Sequence, residues 1–397
     1  MRLVLAPLLR IMFRPRFVGR ENMPAGGPCF IITNHCQVYD AFMLNLEFYD
    51  EPTAGLLTEE YFRGGLVTWM LRGIGVAATR KFQPQTTPVR ETLRLIKDNR
   101  MVVIMPEGGC NWDGVTLPTI ASTGKLFRRL GLPVHPVILH NNYLSWPRWA
   151  YWPRRIPVTI EFKPPLFFTP EMTDDEVARM VDDAILWSPD QGLAQFPIEV
   201  PRGFRPATGI TKLIFRCPTC GDDGSLREKR GRYLLCDACG SGWKVGGDSY
   251  LTSMDSGERR SSTAYFHKIC ALPRDLRDYG AHGPAYLRAL DLPVYRETDS
   301  LHQTLLGKYH CLLREDRVEL IPNGNGSPVD IPLEDIQTIS IERSYKLQLR
   351  TEECLYQLNF GPGSALQWEY YLRCLHPPLG SMLYRRENNP CVAVPVF

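Results

Sequence analysis

No stretch of this chain is both long and apolar enough to span a bilayer, which takes about 20 consecutive apolar residues. The most apolar candidate, Met1 to Phe13, is interrupted by Arg2, Pro7 and Arg10. A secretory leader is missing too, so the twelve cysteines read as thiols of a reducing compartment rather than as a disulfide framework. There is little charge imbalance: a net +3 over 397 residues argues against a general nucleic-acid binder. Low-complexity tracts are absent, and 44% hydrophobic with 22% charged residues excludes a disordered or fibrous chain. The length implies two or three domains.

What is present divides the chain. From Pro28 to about Pro165, short apolar runs alternate with helical stretches, the pattern of an α/β domain with a central sheet flanked by helices. Strands are expected at Cys29–Thr33, Ile74–Thr79, Met101–Met105, Val134–Leu139 and Val158–Phe162. Thr87-Pro88 starts a helix carrying Val89, Leu93 and Ile96, and Thr173 to Glu176 forms a capping box for another. These elements set a first domain at 1–190. A Pro/Gly-rich linker follows at 191–211, a cysteine-paired unit at 212–245 and a connecting region of uncertain structure at 246–300. A mostly β domain at 301–376 ends in a helix capped by Ser364 with Gln367, and 377–397 is a tail. The order of strands then helix resembles pleckstrin-homology-like and GRAM-like barrels.

The residues that carry chemistry are Asn34-His35-Cys36-Gln37-Val38-Tyr39-Asp40, between the strand Cys29–Thr33 and an apolar helical run. On a regular helix, His35 and Asp40 would sit about 140° apart. The segment must therefore bend, with His35 in a loop and Asp40 in the first helical turn. The carboxylate then orients one imidazole nitrogen and leaves the other as a base, which is the orienting half of a catalytic triad without a protein nucleophile.

Three later blocks accompany it: Gly73 to Arg80, in which a small-residue strand delivers Arg80; Val103-Ile-Met-Pro106-Glu107-Gly108-Gly109; and Leu132-Pro-Val-His-Pro136-Val-Ile138. In this order and spacing the set resembles the four motif blocks of the glycerophospholipid acyltransferase family, over roughly residues 15 to 190. The resemblance implies that His35 deprotonates the acceptor hydroxyl, with Asp40 as its partner. The hydroxyl then attacks an acyl thioester directly, with no covalent enzyme intermediate. It also implies Asn34, Arg80, Glu107, Gly108 and Gly109 as substrate-binding residues, Arg80 meeting the acceptor's phosphate and the Glu107 turn holding the glycerol backbone. Main-chain N–H groups of that turn can steady the tetrahedral oxyanion. The chain departs from the pattern at Cys110, where the family usually has arginine. Arg63, Arg72 and Lys125 are candidate replacements for that charge, and Cys36 and Cys110 are expected as small buried thiols.

Cys217-Pro-Thr-Cys220 and Cys236-Asp-Ala-Cys239, fifteen residues apart, match a four-cysteine zinc ribbon with one structural zinc ion. Arg227, Lys229, Arg230 and Arg232 between them read as solvated hairpin charge. Two segments suggest a membrane surface. One is Met1 to Arg20, whose alternative is a docking helix, and the other is Tyr143 to Arg155, rich in Trp, Tyr and Arg. The expected protein is thus an O-acyltransferase moving a fatty acyl group from acyl-CoA or acyl carrier protein to a lysophospholipid such as 1-acyl-glycerol-3-phosphate. It needs no organic cofactor, and it is cytoplasmic and peripheral on a membrane, with a possible protein partner for the ribbon or C-terminal domain and no nucleic-acid partner expected. The alternative is an inactive lipid- or protein-binding scaffold that keeps the fold.

Overall fold

The computed structural model describes residues 5–37, 39–48, 51, 53–58, 65, 68–69, 76–79, 86–297 and 303–379. They divide into two compact units, one drawn from 1–148, 152–206 and 246–250, the other from 149–151, 207–245 and 251–397.

The first unit is built on a seven-stranded mixed sheet: β1 (Arg16–Val18), β2 (Cys29–Thr33), β3 (Ala54–Thr58), β4 (Val76–Thr79), β5 (Met101–Ile104), β6 (Val134–His140) and β7 (Thr159–Phe162). Their spatial order is β1-β7-β6-β2-β5-β3-β4, parallel except for the antiparallel β6–β7 pair. Strand β2 is buried throughout, as expected of a central parallel strand read as an unbroken apolar run. Its side chains alternate between two cores. Cys29 and Ile31 join Met101, Val103, Val137 and Leu139 beneath helices Leu5–Phe13 and Asp40–Leu44. Phe30 and Ile32 join Val102 and Val134 beneath helices Thr86–Lys97, Ala121–Leu130 and Asp174–Ile185. The last of these helices carries the expected capping box, Thr173 Oγ1 accepting from Glu176 N while Glu176 accepts from Thr173 N.

Strand β2 lies between β5 and β6, so the chain leaves its carboxyl end toward β3 on one side and later crosses to β6 on the other. Such a reversal opens a crevice beyond the strand ends, where α/β folds bind ligands. The His35 loop and the Glu107 turn both emerge there.

Helix Leu5–Phe13 docks by Leu9 and Phe13, while Leu8 and Ile11 face outward. No described helix is long and apolar enough to cross a membrane. In the segment expected to meet lipid, Tyr143 and Trp149 are buried and Trp146 is half-buried against Tyr39, leaving only Tyr151 and Trp152 well exposed. The loop is thus largely clamped by its aromatics. Residues 191–211 are not a plain linker, because helix Pro189–Gln195, capped by Ser188, reaches into them.

In the second unit, β8 (Leu226–Lys229), β9 (Tyr233–Cys236) and β10 (Gly242–Val245) continue into β11 (Tyr250–Ser253) and β12 (Arg259–Ser261) as one antiparallel sheet, and helix Ser262–Cys270 follows. After a short ladder of β13 (Arg277–Asp278) and β14 (Pro284–Ala285), a seven-stranded antiparallel sheet begins. Its strands are β15 (Leu287–Glu297), β16 (Thr304–Leu313), β17 (Arg317–Pro322), β18 (Val329–Pro332), β19 (Thr338–Glu342), β20 (Lys346–Arg350) and β21 (Leu355–Asn359), in the order β18-β17-β16-β15-β21-β20-β19. The region 246–300 is therefore structured, and its last strand is central to this sheet. Helix Ala365–Leu375 packs on β19 and β20. Ser364 caps it as expected, its Oγ accepting from Gln367 N at 3.0 Å, while the Gln367 side chain donates from Nε2 to Asp223 at 2.8 Å.

Candidate active site

The loop after β2 bends as its residue types require. Asp40 opens the helix Asp40–Leu44 and is fully buried. Its Oδ2 accepts from Cys36 N at 2.7 Å, Gln37 N at 2.9 Å and His35 Nδ1 at 2.9 Å. Its Oδ1 accepts from Asn142 Nδ2 at 2.6 Å. One carboxylate thus ties the loop, the helix start and the imidazole together. A carboxylate oxygen is an acceptor, so its bond to His35 keeps the imidazole proton on Nδ1.

The free nitrogen of His35, Nε2, lies 3.2 Å from Cys110 Sγ. The imidazole is held well above its ordinary pKa: burial, the largest influence, pushes it down, but the charges and hydrogen bonds of Cys110 and Asp40 outweigh it. Cys110 is half-buried, which corrects the expectation of a buried thiol, whereas Cys36 fits it. Cys36 is fully buried among Ile138, Tyr143 and Trp187, and burial raises its pKa well above the ordinary thiol value. Such a thiol is unreactive.

Glu107 follows β5 and is buried beside the loop. Its Oε1 accepts from His35 N at 2.5 Å, and its Oε2 accepts from Leu117 N at 2.7 Å and Asn111 Nδ2 at 3.4 Å. Burial pushes its carboxyl up to about 8 against these donors. Both of its oxygens thus help to lock the two loops to each other. A return bond from Asn111 N to His35 O at 2.9 Å completes that lock. Asn34 also bonds the main chain. It is buried, and its amide pairs with the main chain of Leu139, accepting at 2.8 Å and donating at 3.4 Å, so it ties β2 to β6 and faces no open space.

The two glycines differ. Gly108 has φ +69, and a Cβ there would meet Ile120 Cδ1 at 2.5 Å, so backbone geometry requires glycine. Gly109 is exposed, and a Cβ would meet nothing within 4 Å. The N–H groups of Gly109 and Cys110 have no hydrogen-bond partner among the described residues. Main-chain donors left unpaired in this way are available to an oxyanion.

Arg80 lies outside the described residues, as do Arg63 and Arg72. Lys125 is paired with Asp174 at 3.6 Å. The cation that does reach the turn is Arg148, which sequence reasoning did not select. Its Nη1 donates to Cys110 O at 2.9 Å, and its guanidinium lies 4.4 Å from the Trp112 ring centroid. Asn142 was missed as well. The available signal was a pair of asparagines directly after the buried strand β6, where polar side chains need partners.

In the second unit, Cys217, Cys220, Cys236 and Cys239 bring their sulfurs within 4.8 Å of one another. The Cys217–Cys239 and Cys220–Cys236 distances are 3.7 and 3.8 Å. A tetrahedral ion with bonds of about 2.3 Å has sulfur–sulfur edges of about 3.8 Å, so the four thiols can hold one metal ion. A separate cavity of about 470 Å³, bordered by Tyr151, Lys212 and Gln367, contains neither histidine nor cysteine.

Comparison with known proteins agrees with the blocks in the sequence. Residues 14–140 match the family model described as acyltransferase. A 1-acyl-sn-glycerol-3-phosphate acyltransferase of Limnanthes alba is 31% identical over 98 residues, covering 24% of this chain and 33% of the relative. That of Limnanthes douglasii matches to the same extent. The chain thus spans about a third of the length of the curated relatives it matches. The crystal structure of the 1-acyl-sn-glycerophosphate acyltransferase of Thermotoga maritima is similar with a TM-score of 0.39 at 19% identity, over 48% of this chain and 75% of that one.

Proposed function

We propose that the protein, whose residues 14–140 match the acyltransferase family model, transfers a fatty acyl group from an acyl thioester to the free hydroxyl of a lysophospholipid such as 1-acyl-glycerol-3-phosphate. The carrying observation is the His35–Asp40 pair beside an open glycine turn. His35 is the base: Asp40 fixes the proton on Nδ1, and Nε2 takes the proton of the acceptor hydroxyl as oxygen attacks the thioester carbonyl. The N–H groups of Gly109 and Cys110 receive the developing oxyanion. The donor is acyl-CoA or acyl carrier protein.

Arg80 remains the proposed phosphate ligand, and Arg148, beside Cys110, takes the place of the family's second arginine. Asn34 and Glu107 position the loops. The outward Leu8 and Ile11, flanked by Arg10 and Arg14, support peripheral contact with a membrane that would supply the lipid acceptor. The four cysteines would hold one zinc ion, and because all four positions are filled by protein its role would be structural. The C-terminal sheet and helix would serve as a pleckstrin-homology-like module.

The test is turnover of the purified protein with acyl-CoA or acyl carrier protein thioester and a panel of lysophospholipids. Formation of diacyl product supports the reading. No product with any donor and acceptor would leave the inactive scaffold.

A further inference from the structure

We infer that the second unit carries a binding site for a phosphate monoester with hydroxyl groups on its organic part, such as glycerol 3-phosphate, in the cavity of about 470 Å³ bordered by Lys212 and the start of helix Ala365–Leu375. The inference goes beyond the acyltransferase reading and does not rest on it. Lys212 is only 6% exposed. Its ammonium lies 3.3 Å from Ser344 Oγ and 4.5 Å from the centroid of the Tyr151 ring, which also lines the cavity. Ser344 takes up one of three donors, and among the described residues no carboxylate pairs with the charge. A buried ammonium without a counter-charge is costly, and an anion entering the cavity removes that cost. Ser364 Oγ donates to Lys212 O at 2.7 Å, so residue 212 and the first turn of the helix meet at the cavity wall. The N–H groups of a first helical turn have no acceptor within the helix, and here Ser364 Oγ takes up that of Gln367. The positive end of an eleven-residue helix therefore adds to the charge of Lys212.

The lining selects the ligand. An ammonium is a point charge that suits phosphate oxygens, whereas a planar carboxylate is met best by the fork of an arginine. Arg227, the other cation of the wall, is committed to Asp237 at 2.6 Å. Glu228 lines the cavity too, and its Oε1 accepts from Gly209 N at 2.8 Å and Thr211 Oγ1 at 3.2 Å. Its other oxygen is engaged by no described residue and can accept from a ligand hydroxyl. Phe215, Leu226 and Pro362 supply apolar wall. The volume lies within the range of small-molecule sites, about 300–1,000 Å³, and exceeds what a bare phosphate ion fills. The free ester and the headgroup of a lysophosphatidate share this chemistry.

The experiment is isothermal titration calorimetry of the full chain with glycerol 3-phosphate and with inorganic phosphate, together with flotation on phosphatidylcholine vesicles with and without lysophosphatidate. A saturable site that prefers glycerol 3-phosphate is expected. Lys212→Met keeps the side-chain length over Tyr151 and removes the charge, and it should weaken both soluble ligands about tenfold or more. Glu228→Gln keeps an oxygen for Gly209 N and Thr211 Oγ1 and removes a negative charge, so inorganic phosphate should bind about threefold tighter or more. A gain in affinity cannot come from misfolding, so the second variant remains decisive if the first is unstable. Retention on vesicles that requires lysophosphatidate and is lost in Lys212→Met supports the site with a lipid headgroup as its source. Binding of glycerol 3-phosphate without such retention supports it with the free ester as the source. No saturable binding of any probe up to about 10 mM, or affinities that neither variant moves, would overturn the site. Inorganic phosphate binding as tightly as glycerol 3-phosphate would overturn the organic ester as its ligand.

Discussion

Replacing Asp40 by asparagine and by alanine separates its chemical role from its structural one. In Asp40→Asn one amide oxygen can still accept from Cys36 N, Gln37 N and His35 Nδ1, while the new NH2 faces Asn142. Asn142 can answer by flipping, because its own Oδ1 is buried without a partner. The loop geometry is therefore expected to survive, and what is lost is the charge that steadies the imidazolium. That loss should lower kcat about 10²- to 10⁴-fold, or about 2.7–5.5 kcal/mol of barrier at 1.36 kcal/mol per tenfold. Asp40→Ala instead orphans Cys36 N, Gln37 N and Asn142 Nδ2 in the interior. Each costs about 1–3 kcal/mol, a large share of a stability that is typically about 5–15 kcal/mol. Urea denaturation and steady-state acyl transfer on both variants read the two effects. An asparagine variant with wild-type kcat, or an alanine variant as stable as the asparagine one, would refute the reasoning.

Gly108→Ala should lower stability by more than about 1 kcal/mol, through positive φ and the Ile120 contact, in thermal denaturation. Gly109→Val should leave the denaturation midpoint unchanged but raise KM or lower kcat, since its side chain would enter open space beside Cys110. The His35 imidazole, followed by NMR in Cys110→Ala, should titrate at lower pH than in the wild type. Removing the Cys110 side chain deletes one raising influence while burial still lowers and Asp40 still raises the value, so the neutral base appears earlier as pH rises. Removal of the proposed zinc by a chelator should lower the melting temperature of the cysteine-bearing unit beyond the hairpin that carries the four cysteines. The first knuckle leads into Asp223, which binds Arg216 at 3.3 Å, Gln367 at 2.8 Å and Tyr371 at 3.0 Å. Unchanged melting, with metal loss verified by elemental analysis, would contradict this.

The parts of the fold legible in the sequence were those whose pattern survives burial. Strand β2 is buried on both faces and reads as the apolar run Cys29–Thr33, and the helix after Thr173 announces itself by its capping box. Strand β15 was hidden because its alternation is broken. Its register shifts between Ala289 and Leu292 and again between Val294 and Tyr295, Asp291 takes a positive φ, and Pro293 lies within the strand. A bulged strand presents no period of two. Strand β3, Ala-Gly-Leu-Leu-Thr, is short and glycine-bearing, and it offered no signal of its own. In the site, residue types indicated that His35 and Asp40 could pair across a bend, but the direction of a side chain is set by tertiary neighbours. Asn34 and Glu107 turn inward because main-chain groups of Leu139, His35 and Leu117 need partners there. The approach of Cys110 to His35 joins residues 75 apart in sequence, and no local pattern foretells it.

The base itself is tested most directly by kcat/KM of His35→Ala with acyl thioester and lysophospholipid. The links that lock the loops use the main-chain N and O of residue 35, bonded to Glu107 and Asn111, so they persist in the variant and the fold should hold. The account predicts a loss of about 10³-fold or more at every pH. Turnover within about threefold of the wild type, less than 1 kcal/mol of barrier, would contradict it.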